Sequence, residues 1–586
     1  MSQVGARTLF NRLLHHNFKY VFGYPGGAIL PVLNEFYAQK KIKYVLSRTE
    51  QGGSFMAEGY AKATGTPAVV MVTSGPGAIN IMTSMQNALS DGTPILALTG
   101  QVSTAVLGTD AFQEADVIGI SKPCTKWNSM ITSNENISQT VDQALKKMMH
   151  KRYGPVLIDL PKNVMSLPTD KENIFNIPDE PISENKVTGS IKITSKEIIE
   201  MIFKSERPVI LAGQGVIQSN AINEIRYLAE KYRIPVTTTL LGLGIMNEKN
   251  SLSLKMVGMH GSYYANKAVQ NCDLLINFGS RFDDRIIGNP KTFANKAKII
   301  HVDIEEKNIN KTINAHYYIN DSCKKVLTDI NYHMSDFDLF KSKSTNNMVA
   351  HIEWLAQINE WKKIDFNYPK KSVLQGRKVI AILNNIIQKR SENFTIVADV
   401  GAHQMWAAQF IDYNHPKVKF ITSGGLGSMG YAVPASIGVK LGLENDKVIC
   451  ICGDGGFTMS FVEVITAVKN KVNVKILIIN NNYQLMVKMW QDKFYNKQFI
   501  GVKMDNPPFE KVCRQMGCKT MKISTSQTRT LERKLKEFLD YEDGPIIANV
   551  ITDENESVLP MVSPGKSLDD MILEEDDKSL SGDAPC

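Results

Sequence analysis

The sequence predicts an α/β protein made of three doubly wound parallel-sheet domains. Short apolar runs ending in Gly-rich turns alternate with longer stretches of helical periodicity, the pattern of parallel strands covered by helices on both faces. A chain of 586 residues is too long for one hydrophobic core and suits about three domains. Two polar stretches, at 167–190 and 336–368, interrupt the alternation and divide the chain accordingly.

The first block, residues 1–165, has strand candidates at 20–23, 44–46, 68–72, 95–99 and 156–160. The second, 190–335, has them at 208–212, 274–278 and 299–302; the third, 371–552, has them at 418–422, 447–452 and 475–479. Residues 553–586 remain as a carboxyl-terminal tail, and its acidic last 20 residues are expected to be mobile or to form a lid over an occupied site. Three α/β units of similar size would fit one fold used three times.

Composition is that of an ordinary soluble globular protein, 43% hydrophobic and 22% charged. The formal charge of +8 is spread along the chain with no run of five or six Lys or Arg, which argues against nucleic acid as a partner. No apolar stretch approaches the length that spans a bilayer, which argues against a membrane helix. The eight cysteines are scattered, with no CxxC and no zinc-spaced histidine, as expected of free thiols in a reducing compartment. Cys450 and Cys452 alternate within an apolar run and should share one face of a buried strand. There is no signal-peptide apolar region; Arg7 and Arg12 give a faint transit-like look, but a folded motif starts by Tyr20, so any organelle presequence is expected to be absent, very short or already removed.

The third block carries the most specific chemistry. The strand at 447–452 (KVICIC) runs into Gly453-Asp454-Gly455-Gly456, and the strand at 475–479 ends in Asn480-Asn481-Asn482. Alone, the first is a common turn and the second common loop chemistry. Together, at strand ends of an α/β block where ligands sit, Gly-Asp-Gly followed roughly 25 residues later by paired Asn resembles the diphosphate-binding motif of thiamine-diphosphate enzymes. The resemblance implies Mg2+ held by hard oxygens, from Asp454, Asn481 and the backbone carbonyl of Tyr483, with Gly453, Gly455 and Gly456 letting the backbone approach the phosphates. Upstream, DVGAHQ (399–404) and GGLGSMG (424–430) supply Val400, Gly401, His403 facing the diphosphate, Gly427, and Met429 as the apolar prop under the bent cofactor; by itself Met429 reads as core packing.

Thiamine chemistry also needs a carboxylate on the pyrimidine ring, so that the exocyclic amine can take the C2 proton. Glu50, in SRTEQGG, matches that acid, although a lone Glu at a helix start is ordinarily a dipole-stabilising surface residue. Around it FGYPGGAILP (22–31), MAEGYAKATG (56–65), VTSGPGAIN (72–80) and GTDAFQEADVIGISKPCTKWN (108–128) resemble the acetohydroxyacid synthase (acetolactate synthase) catalytic large subunits, the last segment being near the fungal type. With VLPMVSPGKSLDDMI (558–572) the resemblance runs from about residue 5 to 572. It implies that Phe112, Gln113 and Lys162 border the substrate channel and that Gly27 and Ala28 lie at the reactive end of the cofactor.

In the middle block MVGMHGSYYAN (256–266) and FGSRFDDRIIG (278–288) resemble the family's flavin and acceptor segments. This assigns Gly213, Gly215, His260, Gly279 and Arg281 to FAD, and Asp303 to a ribose. Met259 falls beside the substrate, Arg285 binds the carboxylate of the second keto acid as a planar fork, and Trp490 favours the ethyl group of 2-ketobutyrate.

The resemblance therefore implies decarboxylation of pyruvate and ligation to a second 2-keto acid, with thiamine diphosphate, Mg2+ and FAD as cofactors. It also implies a homodimer or homotetramer with the site between subunits, a regulatory small subunit as partner, and an organelle matrix (mitochondrion or plastid stroma) or the cytoplasm as compartment. Three positions depart from the family pattern: Thr49 where His precedes the acid, Ala402 where Gln is frequent, and Leu485 where Gly is usual. A left-handed backbone at Leu485 would cost roughly 1–2 kcal/mol. A turnover-deficient paralogue, a pyruvate oxidase and a glyoxylate carboligase are the rival readings.

Overall fold

The structure, a computed structural model, describes residues 3–169, 187–338, 345–364 and 373–574. Most of the polar stretch at 167–190 and the last residues of the acidic tail lie outside these.

Three parallel sheets form the frame. The amino-terminal sheet contains β1 (Tyr20–Tyr24), β2 (Lys43–Leu46), β3 (Ala68–Val72), β4 (Ile95–Gln101), β5 (Trp127–Met130) and β6 (Val156–Pro161), in the order β2-β1-β3-β4-β6-β5. The middle sheet contains β7 (Ile191–Lys192), β8 (Pro208–Ala212), β9 (Val236–Thr238), β10 (Ser253–Met256), β11 (Leu274–Phe278), β12 (Lys298–Val302) and β13 (Tyr317–Ile319), ordered β10-β9-β8-β11-β12-β13-β7. The third sheet contains β14 (Phe394–Ala398), β15 (Val418–Thr422), β16 (Lys447–Gly453), β17 (Val474–Asn480), β18 (Lys519–Ile523) and β19 (Ile546–Ile551), ordered β15-β14-β16-β17-β19-β18. The first and third sheets thus share one strand order, whereas the middle sheet has the order of a dinucleotide-binding fold. One topology serves twice, not three times.

The central strands are buried on both faces, as their near-continuous Val, Ile and Leu content requires. In β16, Val448, Cys450 and Cys452 join one core cluster while Ile449 and Ile451 face another, so the two cysteines do share a face. The helices that matter for the site are α1 (Glu50–Thr64), α2 (Met82–Asp91), α3 (Thr345–Lys362), α4 (Ala402–Phe410), α5 (Ala432–Gly442) and α6 (Leu485–Phe494). Helices α1 and α5 cross backbone to backbone between the first and third domains: a Cβ at Gly59 would sit 2.1 Å from the Ala435 carbonyl oxygen, and one at Gly438 1.8 Å from that of Met56. Only glycine permits that approach.

Two segments read as connections turn out to be structured. Within 336–368, α3 buries His351, Trp354 and Ile358 against the middle domain. Residues 553–574 are not a free tail: Val558, Leu559, Met561, Val562, Leu568 and Ile572 are buried, and Val562 N–H donates to the Met259 carbonyl at 2.7 Å. Their apolar side chains outweigh the acidic residues between them.

Candidate active site

The carboxyl ends of β14, β16 and β17 open on a cavity of about 700 Å3 that extends to the middle sheet. On the third-domain side it is lined by Val400, Gly401, His403, Gly427, Met429, Gly453, Asp454, Gly455, Gly456, Asn481 and Tyr483, the whole set expected for the diphosphate end. Asp454 begins the helix after β16 and is 2% exposed. Burial pushes its carboxyl up to about 6 even though the Asn506 amide, donating at 2.5 Å, favours the anion. A buried carboxylate beside a buried Asn481 and backbone carbonyls is a hard-oxygen set suited to Mg2+. His403 is likewise buried, with Nε2 left without a hydrogen-bond partner, and desolvation lowers it to about 3, so the ring is neutral. The other ring nitrogen is hydrogen-bonded to the Asp399 backbone, so Nε2 can donate to a phosphate oxygen once the charge of that anion holds a second proton on the ring. Gly427, at φ +75°, gives its loop the left-handed turn that sets Met429 on the cavity; Met429 is half-buried there and belongs to no core cluster.

On the middle-domain side the lining includes Gly215, His260, Gly279, Arg281 and Asp303. Gly213 stands one layer behind: its N–H donates to the Phe278 carbonyl, and a Cβ there would sit 2.3 Å from the Gly279 carbonyl oxygen, so it packs two loops together without lining the cavity. Asp303 already accepts from Glu305 N–H (2.7 Å) and Asn308. Burial lowers His260 to about 4, and its Nδ1 lacks a partner. Sequence reasoning missed Arg152, which among the described residues is the one from the amino-terminal domain on the cavity. It donates to the carbonyls of Leu89 and Ser90 (2.8 and 2.6 Å), and burial, then the neighbouring Arg281, lowers it to about 10. Arg152 and Arg281 both line this cavity, and two guanidinium groups on one cavity fit an anionic ligand.

Met259, Arg285 and Trp490 complete the cavity. Arg285 Nη1 lies 3.1 Å from Met259 Sδ, and its guanidinium is largely exposed to the opening. The half-buried Trp490 packs on Met489, Leu559, Met561 and Ile572, so the 553–574 segment builds the wall behind it.

The amino-terminal residues expected at the site from the sequence do not line this cavity. Glu50 is the first residue of α1, and its Oε2 accepts from Asn80 Nδ2 at 3.1 Å. Gly77 and Gly75 adjoin Glu50 and Gln113 respectively, and Gln113 takes φ +61°. Phe112 is 88% exposed, and Gly27 and Lys162 are exposed as well. Glu50, Gln113, Phe112, Gly27 and Lys162 thus stand at the carboxyl ends of β1, β2, β4 and β6, apart from the cavity of their own chain.

The three departures find local explanations. Thr49 caps α1 by accepting from Gly52 N–H (3.0 Å), and Glu463 from the third domain accepts from the Arg48 and Thr49 N–H groups. Ala402 is buried at the start of α4. Leu485 opens α6, and the left-handed residue nearby is Asn482 at φ +63°, so Leu485 carries no such strain.

Three family models cover most of the chain: the thiamine pyrophosphate enzyme N-terminal TPP binding domain at residues 3–120, the central domain at 195–330, and the C-terminal TPP binding domain at 399–550. The mitochondrial acetolactate synthase of Schizosaccharomyces pombe is 38% identical, over 98% of this chain and 87% of that protein. The mitochondrial acetolactate synthase catalytic subunit of Saccharomyces cerevisiae is 40% identical, over 96% and 83%. The acetolactate synthase large subunit of the red alga Pyropia yezoensis is also 40% identical, over 97% and 95%. Three matched domains in family order, with near-full-length identity of this size, place the chain in the acetolactate synthase catalytic (large) subunit family of thiamine-diphosphate enzymes.

Proposed function

We propose that the chain decarboxylates pyruvate and joins the resulting two-carbon unit to a second pyruvate or to 2-ketobutyrate, the first common step of branched-chain amino acid biosynthesis. The observation that carries this is one cavity with a buried hard-oxygen set, Asp454 with Asn481, beside His403, whose Nε2 lacks a hydrogen-bond partner, and with Arg285 and Trp490 at the other end.

Thiamine diphosphate, when bound, supplies the electron sink that stabilises the charge left by loss of CO2. Asp454, Asn481 and the Tyr483 carbonyl would hold Mg2+, and His403 would donate from Nε2 to the diphosphate when that anion holds the ring protonated. Gly215, Gly279, Arg281 and Asp303, together with Arg152, would hold FAD. Arg285 binds the acceptor carboxylate, and Trp490 contributes the roughly 1–3 kcal/mol that one methylene can give an apolar pocket. Glu50 moves the proton on the pyrimidine ring, with Gln113, Lys162, Phe112 and Gly27 bordering the channel. Because these five stand outside their own chain's cavity, a second copy that brings them to it supports a homodimer or homotetramer. The names catalytic subunit and large subunit among the relatives support a regulatory small subunit, and the mitochondrial names support an organelle matrix. Among the described residues no helix is long and apolar enough to cross a membrane.

Purified full-length protein given Mg2+, thiamine diphosphate, FAD and pyruvate should form acetolactate and retain both organic cofactors. Pyruvate loss coupled to O2 uptake, without acetolactate, would replace this function with that of an oxidase. Arg285→Lys should reduce ligation by about 10-fold or more while CO2 release falls less, since an ammonium cannot reproduce a bidentate fork. Equal losses of the two, measured side by side, would remove Arg285 from the acceptor site.

A further inference from the structure

The Gly-rich segment 423–428 lines the cavity, yet one end of it is held from outside its domain. Gly424 and Gly425 N–H donate to the two carboxylate oxygens of Asp91, at 3.1 and 2.6 Å. Ser423 Oγ donates to Asn87 Oδ1 at 2.5 Å, and Lys62 Nζ donates to the Thr422 carbonyl at 2.8 Å. Asp91 and Asn87 belong to α2 and Lys62 to α1, all in the amino-terminal domain.

These anchors are themselves locked together. Lys62 Nζ lies 2.7 Å from Asp91 and 2.9 Å from Glu58, and the Asn87 amide donates to both Glu58 oxygens at 2.8 and 2.9 Å. The Glu58 and Asp91 side chains are 0% exposed and that of Lys62 7%. Burial alone would depress the Lys62 ammonium, but Asp91 and Glu58 prevail and hold it protonated. Burial raises the Glu58 carboxyl above the usual carboxylate range despite Lys62 and the Asn87 amide, and a buried cluster of two carboxyl groups and one cation is costly and gives weak support to stability. The backbone N–H groups of Gly424 and Gly425 offset part of that cost at Asp91, so the cluster fixes a Gly-rich loop that lacks regular structure. The far end of the same loop is tied within its own domain, where Asp399 accepts from Gly430 and Ala432 N–H at 3.0 and 2.8 Å. Glu58 and Lys62 lie on the helix that begins at Glu50, about 12 and 18 Å along its axis.

We infer, resting on the function proposed above, that Glu58, Lys62, Asn87 and Asp91 form a positioning cluster through which the amino-terminal domain sets the cofactor loop Ser423–Met429 for thiamine diphosphate. Asp91→Asn keeps the volume and one acceptor but removes the second charge-assisted anchor. Titrated calorimetrically as the full-length enzyme at saturating Mg2+, this variant should bind thiamine diphosphate about 10- to 100-fold more weakly, the range for losing a supporting residue behind a ligand shell. At saturating cofactor its kcat should stay within about threefold of wild type, and its FAD content should be unchanged. A Kd within about twofold of wild type, with only the melting temperature lowered, would overturn the inference. Should Asp91→Asn fail to fold, Asn87→Ala removes the Ser423 anchor while leaving Asp91 in place. An unchanged Kd in that variant would overturn the inference, and a rise of roughly threefold or more would support it. Absence of thiamine diphosphate binding by the wild-type enzyme is a different result, which overturns the proposed function and the inference with it.

Discussion

Replacing Glu50 by Gln should lower acetolactate formation by roughly 100- to 10,000-fold, the loss expected when a positioned acid or base can no longer exchange a proton. The substitution is nearly isosteric, and what surrounds it leaves the fold little reason to respond. Thr49 still caps α1 through Gly52, Glu463 still accepts from the Arg48 and Thr49 N–H groups, and the Asn80 amide keeps a side-chain carbonyl to donate to. The half-buried carboxylate also makes ionisation of the neighbouring Tyr44 more costly, burial being the larger cause, so that phenol stays a neutral neighbour in either form. Stability should therefore move by no more than about 0.5 kcal/mol. Cofactor content should be that of the wild type, and the deficit should appear in a single turnover with the cofactors already bound. A rate near wild type would remove Glu50 from the chemistry, whatever its resemblance to the family acid.

Much of this site was legible because its signals are local. Asp454 and Asn481 are hard-oxygen residues at the ends of two apolar strands, and a strand end in a parallel sheet is where such a sheet opens to a ligand. Cys450 and Cys452 disclosed the two faces of β16 by simple alternation. What stayed hidden depends on contacts distant in sequence. Arg152 reaches the cavity only because the amino-terminal domain leans against the middle one, and nothing in its neighbourhood in the chain announces that. The wall behind Trp490 comes from residues 553–574, whose apolar side chains are spaced among Asp and Glu and so read as a tail. The strand Phe394–Ala398, second from the edge of its sheet, is a five-residue, mostly apolar run, too short for periodicity to separate it from a buried helical turn. Gly213 shows what such a motif also encodes: a Gly-x-Gly after a strand signals close approach of backbones, and here Gly213 packs against Gly279 while Gly215 lines the cavity.

The strongest test uses two inactive proteins. Asp454→Ala removes the only carboxylate among the three groups proposed to hold Mg2+, and should weaken retention of the metal and thiamine diphosphate by more than the 10- to 100-fold typical of losing a supporting residue. Activity without a large excess of cofactor should then be negligible. Asp454 lines the cavity of its own chain, whereas Glu50 does not line it and sits half-buried against Asn80 on the amino-terminal domain. If each site draws its acid from one subunit and its metal ligands from the other, a mixed dimer of Glu50→Gln and Asp454→Ala has one doubly damaged site and one wholly intact site. Equal co-expression should then give half mixed dimers, and about a quarter of wild-type activity overall, although neither variant alone is active. Sites assembled within one chain cannot be repaired this way, because every chain carries one lesion. Activity no greater than the sum of the two separate variants, in material shown to contain mixed dimers, would place Glu50 and Asp454 in the same subunit's site and remove the need for a second copy.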